Sequence, residues 1–301
     1  MPELLNTDEA AAYLRLSERK LYELVAAGKI PCSKVTGRWL FPKAAIDRWV
    51  ASGMPDALKS FDEPAPPIAG GSSDPLLEWA LRESGSGLAS LNEGSEAGLR
   101  RLARREAILA AIHLHAADQP HAADQPGTTA NIAAVSHAPG LHDVVVIGFV
   151  RRQQGLLVAP GNPHGIKDLT QLAGTSLRLA QRQPGAGAQL LLLTLLVEAG
   201  IDMREVAAMK STCTTGSDLA QEIRAGRADC GIATRAVADA AGLDFVPLLW
   251  ENFDLVLRQR DYFLPGPSAL FGFVRSERFR QRAAELGGYD LSESGAIRWV
   301  A

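Results

Sequence analysis

Cysteine is scarce in this chain: Cys32, Cys213 and Cys230 are the only three in 301 residues, and none belongs to a CxxC pair. So small and scattered a set excludes a disulfide framework and a zinc site of recognisable spacing, and it fits a reducing cytoplasm. Long apolar runs are lacking too. No stretch reaches the ~18 residues of a membrane span, and MPELLNTDEAAAYL has no basic region leading into an uninterrupted apolar core. Neither export nor membrane insertion is expected, which leaves a cytoplasmic location. Charge of one sign is not in excess either: 31 Lys and Arg stand against 34 Asp and Glu, for a formal charge of -3. Bulk affinity for polyanions does not follow from that total. Finally, no nucleophile, base and orienting group and no complete phosphate loop stand at recognisable spacing, so no catalytic residue is assigned and no enzyme is expected.

What is present is a basic bias at one end. A chain of 301 residues suits roughly two domains at about 150 residues each. Within residues 1–53, Arg15, Arg19, Lys20, Lys29, Lys34, Arg38, Lys43 and Arg48 outnumber the acids, and the remainder carries the negative balance. That asymmetry permits a nucleic-acid face at the N-terminus. Thr7 before Asp8-Glu9 predicts a capped first helix, Arg15-Leu16 leaves a tight connection, and Ser17 predicts the cap of a second helix over 18–27. Leu21, Leu24 and Val25 supply its apolar face and Gly28 ends it. Two short strands are predicted around Gly37, followed by a third helix opened by Pro42.

The series LNTDEAAAYLRLSERKLYELVAAGKIPCSKVTGRWLFPKAAIDRWV resembles the excisionase-type winged helix-turn-helix, a relative of the MerR DNA-binding domain. The resemblance covers nearly all of residues 3–51. It implies that the second helix enters a major groove of a double-stranded operator, with Ser17, Arg19 and Lys20 near its exposed N-terminal end. The wing would set Lys34, Gly37 and Arg38 against phosphate or a minor groove. Any one of these basic residues alone reads as a solvated side chain; their convergence on helix and wing favours DNA. Trp39 and Trp49 read as core. One module touches few base pairs, so a homo-oligomer, a dimer or higher, is expected. No heptad repeat supplies it, which assigns oligomerisation to the larger domain.

Residues 54–67, with Pro55, Pro64, Pro66 and Pro67, read as an extended linker between domains 1–53 and 68–301. Beyond it, Gly70-Gly71-Ser72-Ser73-Asp74 precedes Leu76-Leu77, and Asn92-Glu93-Gly94-Ser95 precedes a helix predicted over 96–108. Two strand, hydroxyl-loop, helix units in succession imply a parallel sheet with its loops gathered at one edge. Such hydroxyls either cap the helix or bind an anion. Arg100, Arg101, Arg104 and Arg105 read as a solvated helix face. His113 and His115 form an HxH pair with no further ligand at convincing spacing, so no metal is assigned. HAADQP then occurs twice, at 115–120 and 121–126, as an expanded surface loop.

The most informative stretch is 177–200, LRLAQRQPGAGAQLLLLTLLVEAG. A short apolar run reaches Arg182 and Gly185-Ala186-Gly187, then a long aliphatic run. A strand, glycine turn and helix offer free NH groups to an anion, although a glycine pair also makes a plain tight turn. Further strand-loop-helix transitions fall at Thr215 and Thr234.

The order from GSSDPLL through GLLVAPGNPHGI, RQPGAGAQLLL, GRADCGIATRAVA and GLDFVPLLWENFDLVL to GYDLSESGAIRWV resembles the periplasmic-binding-protein-like domain of cytoplasmic regulators and molybdopterin-associated proteins. The match spans most of 68–301. It implies an α/β fold of type II, with lobe A about 68–155 and 255–301, lobe B about 156–254, and crossing strands near 150–160 and 250–258. Kinship with molybdate- and tungstate-binding proteins implies an oxyanion held by hydroxyls and backbone NH groups. Carried over by motif, Ser72, Ser73, Gly94 and Ser95 would serve from the first lobe, and Gly185, Ala186, Gly187, Thr215 and Thr234 from the second. Where the family commonly has GSGTR, this chain has Gly185-Ala186-Gly187-Ala188-Gln189, so an anion contact there falls to backbone NH groups or Arg182. The expected function is a one-component transcriptional regulator sensing a small oxyanion, molybdate or tungstate, with no other cofactor. The alternative is an organic ligand or a molybdenum-cofactor-related metabolite, in a cleft lined by Trp79, Trp250 or Phe253.

Overall fold

The computed structural model describes residues 4–35, 37–52, 65–115 and 130–301. Most of the expected linker and most of the duplicated HAADQP segment lie outside the described residues. The chain divides into two compact units, 1–64 and 65–301.

In the smaller unit, β1 (Leu4–Leu5) precedes α1 (Thr7–Leu14). The cap of α1 is Asn6, not Thr7 as the sequence suggested. Asn6 Oδ1 accepts from the Glu9 amide at 2.9 Å while the Glu9 carboxylate accepts from the Asn6 amide at 2.9 Å. Only Asn6 has an acid three residues on to close this reciprocal pair, which is why it outcompetes Thr7. Arg15, at φ 53°, turns the chain out of α1. Ser17 caps α2 (Glu18–Ala26) as expected, accepting from the Lys20 amide at 3.3 Å. β2 (Ser33–Val35) pairs antiparallel with β3 (Arg38–Pro42), and α3 (Lys43–Ser52) follows, so Pro42 closes a strand instead of opening the helix. The sheet order is β1-β3-β2. Leu5, Ala10, Ala11, Leu21, Ile30, Phe41 and Ile46 form the core, with Trp39 and Trp49 packed against it.

The larger unit opens with β4 (Ile68–Gly71), α4 (Pro75–Glu83), β5 (Ala89–Asn92), α5 (Ser95–Ala103) and β6 (Leu109–Ile112). The helix predicted to run to 108 stops at Ala103, because Arg105 takes a left-handed φ of 60° and the next apolar residues belong to a buried strand. After α6 (Ala130–Ser136) comes the long β7 (Val144–Val158). The second lobe is built from β8 (Leu179–Arg182), α7 (Gly187–Glu198), β9 (Ala208–Cys213), α8 (Gly216–Arg224), β10 (Cys230–Thr234) and α9 (Arg235–Ala241). A second long strand, β11 (Asp244–Arg258), returns to the first lobe, which ends in α10 (Pro265–Phe273), α11 (Glu277–Leu286), β12 (Tyr289–Asp290) and β13 (Ile297–Val300).

One sheet runs in the order β5-β4-β6-β11-β7-β10-β8-β9. The wings β5-β4-β6 and β10-β8-β9 are parallel; β7 and β11 join them as an antiparallel pair. Each of these strands has 15 residues, about 50 Å of extended chain. β6 pairs with 254–257 of β11, and β10 pairs with 154–158 of β7. The crossing strands therefore start earlier than the sequence suggested, at Val144 and Asp244. The first lobe packs Leu76, Ala80, Leu109, Phe149, Phe253 and Phe279, and the second packs Leu156, Leu179, Leu191 and Ile232. Loops at the C-terminal ends of the parallel strands face each other across the space between the lobes, where open α/β sheets place their ligands.

Candidate functional site

A cleft of about 290 Å³ lies between the lobes. Of the anticipated ligand residues, Ser72, Ser73, Arg182, Ala186, Gly187, Thr215 and Thr234 line it; Gly94, Ser95 and Gly185 do not. The latter three sit just behind it. Ser95 Oγ accepts from the His113 amide at 3.0 Å and donates to the His113 carbonyl at 3.2 Å. Its only proton being used, the 2.8 Å contact with Ser72 Oγ makes Ser72 the donor. These two hydroxyls thus tie β4, α5 and β6 together, and Ser73 is the hydroxyl of that loop with no such bond. A Cβ on Gly94 would sit 3.1 Å from Ala186 Cα, and one on Gly187 would sit 2.1 Å from the His113 carbonyl oxygen. Here the lobes meet backbone to backbone, and Gln183 Nε2 adds a bond to the Glu93 carbonyl at 3.1 Å.

On the second-lobe side, Ala186 precedes α7 without a side-chain cap. The amides of Gly187 and Ala188 have no acceptor among the described residues, as expected of a first helical turn open to a ligand. Gln189, standing where the family carries arginine, turns away and accepts from the Arg182 amide at 2.9 Å. The Arg182 side chain is 8% exposed. Its Nε donates to the Cys213 carbonyl at 3.2 Å and its Nη2 to the Thr214 carbonyl at 2.6 Å. Among the described residues no carboxylate pairs with it. Burial, then the nearby charge of Arg152, push its pKa down to about 10. Thr215 caps α8, with its hydroxyl accepting from the Asp218 amide at 3.1 Å, which leaves the hydroxyl proton for the cleft. Thr234 Oγ1 is buried with no partner among the described residues.

The floor and the first-lobe wall hold a charge network that sequence reasoning missed. Arg152, on β7, donates through Nε to Glu251 Oε1 at 2.7 Å and through Nη1 to Asp74 Oδ2 at 2.8 Å. Asp74 also caps α4, accepting from the amides of Leu76 and Leu77 at 2.9 and 3.1 Å, and takes the Tyr289 hydroxyl. The N-terminus of α4 is thereby filled by the protein's own carboxylate. Gln154 Nε2 donates to Glu251 Oε1 at 2.8 Å, leaving Gln154 Oε1 buried with no partner among the described residues. His113 Nδ1 and His115 Nε2 approach Glu251 Oε2 at 3.0 and 2.8 Å. Burial opposes the charge on Glu251, but the Arg152 charge and the hydrogen bonds from His113 and His115 hold its pKa well below the usual carboxylate range. Burial also pushes His113 down to about 4, leaving a neutral imidazole.

His113, His115 and Glu251 bring three possible metal-ligand atoms within 4.8 Å of one another. The carboxylate missing from the HxH spacing thus comes from β11. Their N···O separations are those of hydrogen bonds, and Arg152 already offsets the Glu251 charge. Trp79 packs on Phe273, Phe253 lies under the Arg152 guanidinium, and neither they nor Trp250 line the cleft. A sequence signal for the network existed: Arg151-Arg152-Gln153-Gln154 interrupts an otherwise apolar strand, as Glu251-Asn252 interrupts its partner.

In the smaller unit, Arg19 and Lys20 project from the first turn of α2, both exposed and both within reach of Glu23, at 3.5 and 3.1 Å. Such pairs yield readily to a stronger anion. Ser17 stands at the cap of that helix. Gly37, at φ +83°, turns the β2–β3 hairpin; Arg38 is exposed beside it, and Lys34 lies 5.4 Å from the Trp39 ring centroid. Tyr22 on α2 and Val35 on the hairpin, not anticipated from the sequence, are exposed at 48% and 49%.

Fold and cleft define a class: a helix-turn-helix DNA-binding module fused to a two-lobed binding-protein domain. Residues 78–275 match the PBP superfamily domain and residues 4–54 a helix-turn-helix domain. The chain belongs to the PBP superfamily and carries an excisionase-like helix-turn-helix at its N-terminus. It is 29% identical over 152 residues to the uncharacterized protein YvgK of Bacillus subtilis (strain 168), covering 50% of this chain and 49% of that one. The chain therefore spans about half the length of that relative. It is 31% identical over 99 residues to an uncharacterized protein encoded 5′ of a 2Fe-2S ferredoxin gene in Clostridium pasteurianum, covering 33% of this chain and 88% of that one. Among solved structures, a putative phosphate ABC transporter substrate-binding protein from Clostridium perfringens, with bound phosphate, superposes with a TM-score of 0.51 at 12% identity, over 73% of this chain and 96% of that one. A mutant of Corynebacterium glutamicum OxyR, H2O2-bound, gives 0.50 at 14% identity, over 93% and 89%. These two likenesses concern fold. Among the described residues, no helix is long and apolar enough to cross a membrane.

Proposed function

We propose that the protein is a one-component transcriptional regulator of the cytoplasm that senses a small anion in the interlobe cleft and acts as an oligomer on a double-stranded operator. One observation carries the anion: Arg182 is a buried guanidinium with carbonyl partners and no paired acid, beside the two unbonded amides that open α7. A desolvated cation and free NH groups gain most from a negative ligand. A ligand that binds both lobes at once favours their closed arrangement, and that differential affinity supplies the switch.

Molybdate and tungstate, which the family resemblance implies, are the first ligands to titrate, with sulfate as control. Melting temperature of the full chain reads the outcome, because a ligand bound only by the folded state stabilises it by mass action. A rise with an anion that disappears in Arg182→Met supports the reading. Equal responses of both proteins would remove Arg182, and with it the anion argument. The second reading, an organic effector or molybdenum-cofactor-related metabolite, is supported by the cleft volume of about 290 Å³, at the low end of small-molecule pockets. Light scattering with and without operator DNA checks the oligomer.

A further inference from the structure

The polar groups of the cleft differ in sign from wall to wall. On the second-lobe side, donors with no acceptor among the described residues gather: Arg182 Nη1, the Gly187 and Ala188 amides and the hydroxyl protons of Thr215 and Thr234. The floor and the first-lobe wall are different. Gln154 is 1% exposed, and its amide orientation is fixed because Nε2 must face the acceptor-only Glu251 carboxylate. Its Oε1 is therefore a pure acceptor, buried with no donor among the described residues, on a side chain that lines the cleft. On the same wall Glu78 presents a half-buried carboxylate that accepts from Asn92 Nδ2 at 2.9 Å, and burial raises its pKa. A fully deprotonated tetrahedral oxyanion, such as molybdate, tungstate or sulfate, carries acceptors on every face. It answers Arg182 and leaves Gln154 Oε1 opposed by another lone pair, an arrangement that buried sites avoid.

Building on the anion reading above, we propose that the effector is a small organic anion that also carries a hydrogen-bond donor, a hydroxyl or an ammonium group, placed against Gln154 Oε1 while its anionic group lies at Arg182. Both donors answer the same acceptor, and Glu78 favours either over a second negative group. The cleft, at about 290 Å³, accommodates such a two-ended molecule.

The test uses the full chain and two matched ladders, propionate with lactate and alanine, and succinate with malate and aspartate. Within each ladder the skeleton is constant and one hydrogen becomes a hydroxyl or an ammonium group. Molybdate, tungstate and sulfate complete the panel, read by calorimetry and melting temperature. The expected result is that a donor-bearing member of one ladder binds at least about 10-fold more tightly than its donor-free parent and than any bare oxyanion. Gln154→Met should bring that member and its parent to within about 3-fold, and comparing the hydroxyl with the ammonium member identifies the donor. The ladders decide the point on the native chain, so a Gln154 variant that fails to fold does not remove the test. Bare oxyanions or donor-free acids binding as tightly as their donor-bearing partners overturn this proposal and leave the anion reading standing. Binding unaffected by Arg182→Met overturns the anion reading itself. Silence across the whole panel overturns the proposal as well.

Discussion

Arg152 and Arg182 carry the same side chain into the same cleft, and their surroundings treat them differently. Burial opposes the charge of both, but Arg152 has Glu251 and Asp74 to outweigh it, and its pKa rises, whereas Arg182 falls to about 10. Arg152→Met should therefore cost about 3–5 kcal/mol by stranding two buried carboxylates. Arg182→Met, which strands none, should leave the ligand-free protein within about 1 kcal/mol; denaturant midpoints of the two variants check the contrast. His113 offers a pH prediction. Its native pKa, lowered by burial to about 4 from 6.5, means that below pH 6.5 the unfolded chain takes up a proton that the native chain refuses. Stability from this group is thus lost as pH falls from 6.5 to about 4, on the order of 3 kcal/mol. Burial raises Asp254 to about 6, which contributes in the opposite sense, so the comparison belongs between wild type and His113→Asn, whose relative stability should improve on acidification. Arg182 was legible in the sequence because it stands beside a glycine turn. Arg152 and Gln154 were not, because a charged residue inside a strand announces no partner, and theirs arrive from positions about a hundred residues away.

At the scale of elements, local chemistry was the legible part. Ser17 capping α2 and the strand, turn and helix over 179–198 follow from side chains within a few residues of each other. The errors came from competition: Asn6 beat Thr7 because Glu9 completes its cap, and β7 and β11 start at Val144 and Asp244, ahead of the crossing ranges expected near 150 and 250, because each pairs with the other over nearly its whole length. The start of α7 can be tested directly. Gly187→Ala would drive a methyl to about 2.1 Å from the His113 carbonyl, a backbone clash that no rotamer relieves. Overpacking of this kind typically costs about 1–3 kcal/mol. Since the clash lies between the lobes, it should fall mainly on the closed form, so that ligand affinity drops more than unfolding stability when calorimetry and denaturant curves are compared.

For the whole molecule, the division of labour makes the two ends separable by experiment. Arg19→Ala and Arg38→Ala should each weaken DNA binding across all sequences and lower the salt slope of the binding constant by about 1 if the side chain meets phosphate. Neither should alter ligand-induced stabilisation, which fluorescence anisotropy and thermal melts on the same samples would establish. The joining of the lobes has a mechanical consequence. β7 and β11 are hydrogen-bonded to each other almost end to end, with irregularities between Pro247 and Leu249 and between Phe253 and Asp254. Two flexible tethers would allow the lobes to twist, slide and swing independently. A doubly stitched ribbon resists sliding, because each step of slip would break a whole ladder of bonds, and it bends most easily where the stitching is already irregular. Under the proposed function, occupancy of the cleft would thereby be translated into one angle, and a single pair of distance labels, one on each lobe, would suffice to read it.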